Sequence, residues 1–156
     1  MVQTTHSYSQ PVRILLAEDD SDDQFLFTEA LAQITTNTHL TIVGNGKKAL
    51  DKLEEQKDPF PDIIFLDINM PIMDGIECLK KIRANHTLKD IPCLIFSTST
   101  TESVVEHTYK AGANLYVTKP THYNKLVKII EKVLQLNWKE YFPPSRELFL
   151  VSERHL

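Results

Sequence analysis

The residues with the most chemical potential stand where short apolar runs stop. ILLA is followed by Glu18-Asp19-Asp20, IIFL by Asp67, LIF by Ser97-Thr98, and LYV by Thr118-Lys119-Pro120. If these runs are adjacent parallel strands, carboxylates, a hydroxyl and an ammonium converge on one pocket at the carboxyl edge of a sheet. Clustered carboxylates repel one another and take up protons unless a cation compensates them, so the pattern predicts a hard divalent metal. Mg²⁺ binds through one or two carboxylates plus waters and a phosphate, which suits Asp19 and Asp67 as direct ligands and Glu18 acting through water; Mn²⁺ suits the same donors. A lysine and a hydroxyl beside such a metal offer charge and a hydrogen bond to a phosphoryl group. Asp67, ionised at neutral pH, can attack phosphorus without a general base and form an aspartyl-phosphate. An acidic run after a strand also serves as a helix N-cap, and Asp22 and Asp23 are assigned only that role. An EF-hand is excluded, because counting from Asp19 the sixth place is Gln24 rather than glycine and the twelfth is Ala30 rather than glutamate.

The elements that would position these groups alternate along the chain. Strands are expected at 12–17, 40–43, 62–66, 92–96 and 114–117, whose continuous apolar character suits burial on both faces. Helices are expected at 22–34, 46–56, 75–85, 101–111 and 122–135; the last carries Leu126, Ile129, Ile130, Val133 and Leu134 on one stripe. Gly46, Asp74-Gly75 and Gly112 punctuate the boundaries. Strand–helix alternation with connections too long for hairpins implies right-handed βαβ units, hence an α/β, doubly wound, five-stranded parallel sheet with helices on both faces.

The division expected is a lead-in at 1–11, one folded domain at 12–136 and an extension at 137–156. The extension holds Trp138, Tyr141, Phe142, Leu148, Phe149, Leu150 and Val151, too apolar a set for a solvated tail. Two readings stand for it: packing back on its own domain, or a partner or dimer surface.

Length and composition agree with a single globular domain: 156 residues, 42% hydrophobic and 24% charged. A net charge of −4 disfavours a broad grip on nucleic-acid phosphates. Cys78 and Cys93 form no CxxC pair, so neither a disulfide framework nor a zinc site is suggested, and both are expected to be reduced and buried. His6, His39, His86, His107, His122 and His155 show no ligand spacing and are assigned to the surface. With no apolar run of signal-peptide or membrane-span length, the cytoplasm is the expected location and no membrane partner is expected.

The segments ILLAEDDSDD, IIFLDINMPIMDG, LIFSTS and YVTKP, in this order and spacing, resemble the motifs of response-regulator receiver domains of two-component signalling, over residues 12 to about 135. The resemblance implies a flavodoxin-like strand order 2-1-3-4-5. It makes Asp67 the phosphoacceptor and Glu18 and Asp19 the acidic pair, with the backbone carbonyl of Asn69 as a further metal ligand. Ser97 and Lys119 would contact the phosphoryl oxygens, and Ser97 and Tyr116 would form the switch. Thr98 stands where the family usually has alanine or glycine, and its bulk is expected to narrow access to the phosphoryl group.

What the family resemblance implies is a phosphorylation-dependent signalling switch. A histidine kinase or phosphotransfer protein donates to Asp67, the chain catalyses only its own phosphoryl transfer and autodephosphorylation, and output passes to a downstream protein. A phosphorelay intermediate is the alternative. A metal-dependent phosphohydrolase is disfavoured, because it needs a further acid/base carboxylate two places after the nucleophile and Asn69 stands there.

Overall fold

The computed structural model describes residues 10–55, 57–138 and 145–155, the His155 side chain excepted. The greater part of the expected lead-in therefore lies outside the described residues, as do Tyr141 and Phe142 of the extension. In chain order the elements are β1 (Val12–Ala17), α1 (Ser21–Ala32), β2 (Thr38–Val43), α2 (Gly46–Glu54) and β3 (Ile63–Leu66). They continue with α3 (Gly75–Ala84), β4 (Cys93–Ser97), α4 (Glu102–Lys110), β5 (Leu115–Thr118) and α5 (Tyr123–Leu134). The extension adds a one-turn helix α6 (Arg146–Phe149), a short strand β6 (Leu150–Val151) and a 3₁₀ turn at Glu153–His155.

Among the described residues the sheet is parallel throughout, in the order β2-β1-β3-β4-β5-β6. The doubly wound α/β sheet with the order 2-1-3-4-5 is thus present, with one correction: it has six strands rather than five. The sixth was illegible because two residues carry no periodicity; Leu150 and Val151 become a strand only by pairing with Tyr116 and Val117 of β5. The first strand falls on the expected residues 12–17, and the other expected elements differ from the observed ones by at most two residues at either end.

Alternation along each strand sends side chains to two separate cores. Leu15, Ala17, Ile64, Leu66, Ile95 and Tyr116 face α2, α3 and α4, where they meet Ala49, Leu53, Cys78, Leu79, Ile82 and Val105. Ile14, Leu16, Phe65, Leu94, Phe96 and Val117 face α1 and α5, where they meet Phe27, Leu31, Leu126, Ile129 and Val133. Phe27, Phe65 and Phe96 pack edge to face, with centroids 5.1–6.2 Å apart. Both cysteines are buried and free, as expected.

At the amino edge of the sheet, Arg83 ties three segments together. Its Nε donates to the Gly112 carbonyl, its Nη1 to the carbonyls of Lys89 and Ile91, and its Nη2 to Asn114 Oδ1, each at 2.8 Å. Asn114 Oδ1 also accepts from the Cys93 N–H at 2.8 Å, so one guanidinium anchors the entries to both β4 and β5. Gly112, at φ 100°, ends α4 in the left-handed conformation that favours glycine.

Candidate functional site

Parallel register brings the strand ends side by side. Ala17 lies opposite both Val43 and Leu66, so the residues that follow it and Leu66 become neighbours. The Glu18 N–H donates to the Val43 carbonyl and the Asp67 N–H to the Ala17 carbonyl, both at 3.0 Å. On the other side Ser97 pairs with Thr118, and the Lys119 N–H donates to the Ser97 carbonyl at 2.9 Å.

The three acidic groups expected to share a metal do converge. Carboxylate oxygens of Glu18, Asp19 and Asp67 all lie within 4.8 Å of one another. Glu18 and Asp67 are buried, and Asp19 reaches solvent. Lys119 Nζ lies 3.0 Å from Glu18 Oε1 and 3.4 Å from Asp67 Oδ2. Its shortest contact, 2.9 Å, is to Asp23 Oδ2. The three N–H bonds of the ammonium are thus spread over three carboxylates, and Nζ also sits 5.6 Å from the Phe96 ring centroid.

The electrostatics follow from burial and crowding. Burial, and next the hydrogen bond with Asp67, push the Glu18 carboxyl up to about 9. Burial would depress the Lys119 ammonium, but hydrogen bonds to Asp23 and Glu18 and the charge of Asp67 hold it above its usual range. Burial would raise Asp23, and Lys119 more than reverses this, leaving the carboxyl below the ordinary aspartate range.

Asp23 is the pocket residue that sequence reasoning missed. The cap of α1 is Asp20, whose Oδ1 accepts from the Asp23 N–H at 2.9 Å; Asp22 and Asp23 stand in the first turn as expected, and the correction is that Asp23 also binds Lys119. The only local signal was its place in the first turn of the helix that starts just after the acidic pair.

The loop after β3 is shaped from within. Asp67 Oδ1 accepts from the Ile68 N–H at 2.8 Å, and the Gly75 N–H donates to the Ile68 carbonyl at 2.9 Å. A Cβ on Gly75 would press into the Asp67 carbonyl oxygen, so this glycine is needed for close approach rather than for an unusual φ. Met70 and Met73 are buried beneath the loop, while Asn69 is exposed. Ile72 takes φ 69°, a conformation that costs a β-branched residue. Across the pocket Ser97 is buried and its Oγ accepts from the Ser99 N–H at 3.3 Å, whereas Thr98 is exposed. Tyr116 is fully buried, and its hydroxyl donates to the Ser99 carbonyl at 2.7 Å.

The donor set fits a hard divalent cation. Among the described residues, buried Glu18 Oε2 has no hydrogen-bond partner, and of the three grouped carboxylates Glu18 and Asp67 meet the Lys119 ammonium, which Asp23 shares.

The molecule is thus a flavodoxin-like parallel sheet with a carboxylate trio and a lysine at its carboxyl edge. The chain belongs to the response regulator receiver domain family, whose model matches residues 14–131. Among curated relatives it is similar to response regulator Rcp1 of Synechocystis sp., 35% identical over 127 residues, which cover 79% of this chain and 86% of that protein. Among solved structures it is similar to the phosphorylated cyanobacterial phytochrome response regulator RcpA, with TM-score 0.76 and 33% identity, covering 87% of this chain and all of that one. The Mn²⁺-bound form of Rcp1 gives TM-score 0.74 and 33% identity, covering 86% of this chain and all of that one. The acidic cluster is of the type that holds Mg²⁺ in receiver domains. Among the described residues, no helix is long and apolar enough to cross a membrane.

Proposed function

We propose that this chain is a phosphorylation-dependent switch in which Asp67 accepts a phosphoryl group from a histidine kinase or a histidine phosphotransfer protein. The observation that carries the reading is Asp67 itself, an ionisable carboxylate grouped with Glu18 and Asp19 and faced by the Lys119 ammonium. A carboxylate oxygen of Asp67 forms the bond to phosphorus, the bond from phosphorus to the donor's histidine nitrogen breaks, and that nitrogen keeps the electron pair and takes up a proton.

Lys119 neutralises charge on the transferred group, and the Ser97 hydroxyl donates to one of its oxygens. Asp19 and Asp67, with Glu18 through water and the Asn69 carbonyl, would hold Mg²⁺, which supplies further neutralising charge to the phosphoryl oxygens. Asp23 keeps Lys119 aimed into the pocket from the α1 side. The chain catalyses its own phosphorylation and dephosphorylation and no turnover of a separate substrate.

Residues 12–136 form the receiver unit in this reading, and 137–156 an extension whose residues 145–155 pack back on it. As Ser97 draws toward the phosphoryl group, Tyr116 is held inward, and the surface of α4, β5 and α5 changes its affinity for a downstream protein in the cytoplasm.

Intact-protein mass spectrometry after incubation with acetyl phosphate tests the reading. The expected result is a gain of one phosphoryl group that requires Mg²⁺ and vanishes in Asp67→Ala. No gain in a folded, Mg²⁺-binding chain would overturn it. Onward transfer to a histidine of a second protein, in place of tighter partner binding, would assign the chain to a phosphorelay.

A further inference from the structure

The extension lies across one particular face. Phe149 is fully buried between two tyrosines, its ring edge-on to Tyr109 of α4 with centroids 5.0 Å apart and to Tyr116 of β5 at 6.4 Å. Arg146 Nε donates to Glu106 Oε2 of α4 at 2.9 Å, and its guanidinium sits 5.7 Å from the Tyr109 ring and 5.8 Å from that of Phe149. Beyond β6, Glu153 Oε1 accepts from the Thr121 hydroxyl at 2.9 Å, tying the far end to the β5–α5 loop. The segment is therefore held at α4, at β5 and at the loop that carries Lys119 toward α5.

One of its contacts leads back to the pocket. Phe149 touches Tyr116, the Tyr116 hydroxyl donates to the Ser99 carbonyl, and the Ser99 N–H donates to Ser97 Oγ at the end of β4. Turning Tyr116 outward would open a void beneath Phe149 and break its edge contact, so the inward tyrosine and the docked extension support each other.

We propose that residues 145–155 are a tethered ligand of the α4–β5 face, and that their docking is linked through Tyr116 to the phosphoryl state of Asp67. The linkage rests on the reading of Asp67 as phosphoacceptor. It is reciprocal: a phosphoryl group that favours the inward Tyr116 tightens the extension, and the docked extension raises the affinity of the pocket for the phosphoryl group. A downstream partner then meets a composite surface of α4 and α6 in the phosphorylated form.

Amide hydrogen exchange on the full chain, with and without acetyl phosphate and Mg²⁺, tests this while intact mass reports phosphoryl occupancy in the same samples. The expected result is exchange at residues 147–151 slowed roughly 5-fold or more in the phosphorylated chain. In the reciprocal arm, Phe149→Leu keeps an apolar side chain but loses the ring contacts, and is expected to bind beryllofluoride with Mg²⁺ several-fold more weakly. Phosphoryl gain with unchanged exchange at 147–151, or unchanged beryllofluoride affinity in Phe149→Leu, overturns the linkage and leaves the phosphoacceptor reading standing. No phosphoryl gain overturns that reading and the linkage together.

Discussion

At Asp67, function and stability oppose each other. Glu18, Asp19 and Asp67 are grouped within 4.8 Å, and the one ammonium that touches Glu18 and Asp67 is shared with Asp23, an arrangement that favours a cation and a phosphoryl group but strains the metal-free fold. Asp67→Asn keeps the shape and removes one charge. In chelator near pH 7 it is expected to raise the free energy of unfolding by about 1 kcal/mol, read by urea denaturation, because the hydrogen bond and charge of Asp67 are part of what forces Glu18 to take up a proton on folding. The rise in melting temperature on adding Mg²⁺ is expected to shrink in the same variant, since metal stabilises only through its affinity for the native state. The cysteines give a second expectation. Burial, followed by the neighbouring Cys93, pushes the Cys78 thiol up to about 12, and burial pushes Cys93 up to about 11, against an ordinary 9.0. Folded-state values above the unfolded one mean a contribution fully present below pH 9 and lost as pH rises toward 11 and 12, because the unfolded chain releases those protons first. Unfolding free energy is expected to fall by roughly 1.5 kcal/mol per thiol between pH 9 and 10.5, and a Cys78→Ala, Cys93→Ala variant is expected to lose that share of the slope.

At the scale of elements, register and loop shape place the reactive groups. The parallel pairing of β1 with β3 puts Glu18 beside Asp67, and the turn from Ile68 to Gly75 folds tightly against the Asp67 backbone. Gly75→Ala is expected to destabilise the chain by about 2 kcal/mol or more and to slow phosphoryl uptake, because the added methyl must displace the Asp67 carbonyl. Thermal melts and a time course of intact mass with acetyl phosphate check both parts. Sequence reading marked Gly75 only as the boundary of a helix. The pairing of Gly75 with Asp67 was hidden because the loop between them follows no period. Gly112 was more legible: a glycine after a helical stripe is a local signal, and it does end α4 at a positive φ.

At the scale of the whole molecule, the extension completes the domain that it follows. Phe149 is 0% exposed and belongs to the same core as Tyr116, Leu79 and Cys93. Truncating it to alanine is expected to cost about 3 kcal/mol, which for a domain of this size lowers the melting point by about 6–12 °C in calorimetry. The chain's own apolar tail thereby covers a face of α4 and β5 that would otherwise meet water.

By itself the sequence determined the five long strands, the five helices between them, the sheet's class and the cluster at its carboxyl edge. These are legible because burial on two faces writes continuous apolar runs, helices write a 3.6-residue stripe, and a parallel sheet delivers every strand's last residue to one edge. Tertiary structure alone decided the sixth strand, the seat of Phe149 and the attachment of Asp23 to Lys119. Leu150 and Val151 acquire a strand only from a neighbour's backbone, and Asp23 meets a lysine 96 positions away. Such contacts leave no period in the chain, because they are set by which surfaces the folded layers bring together.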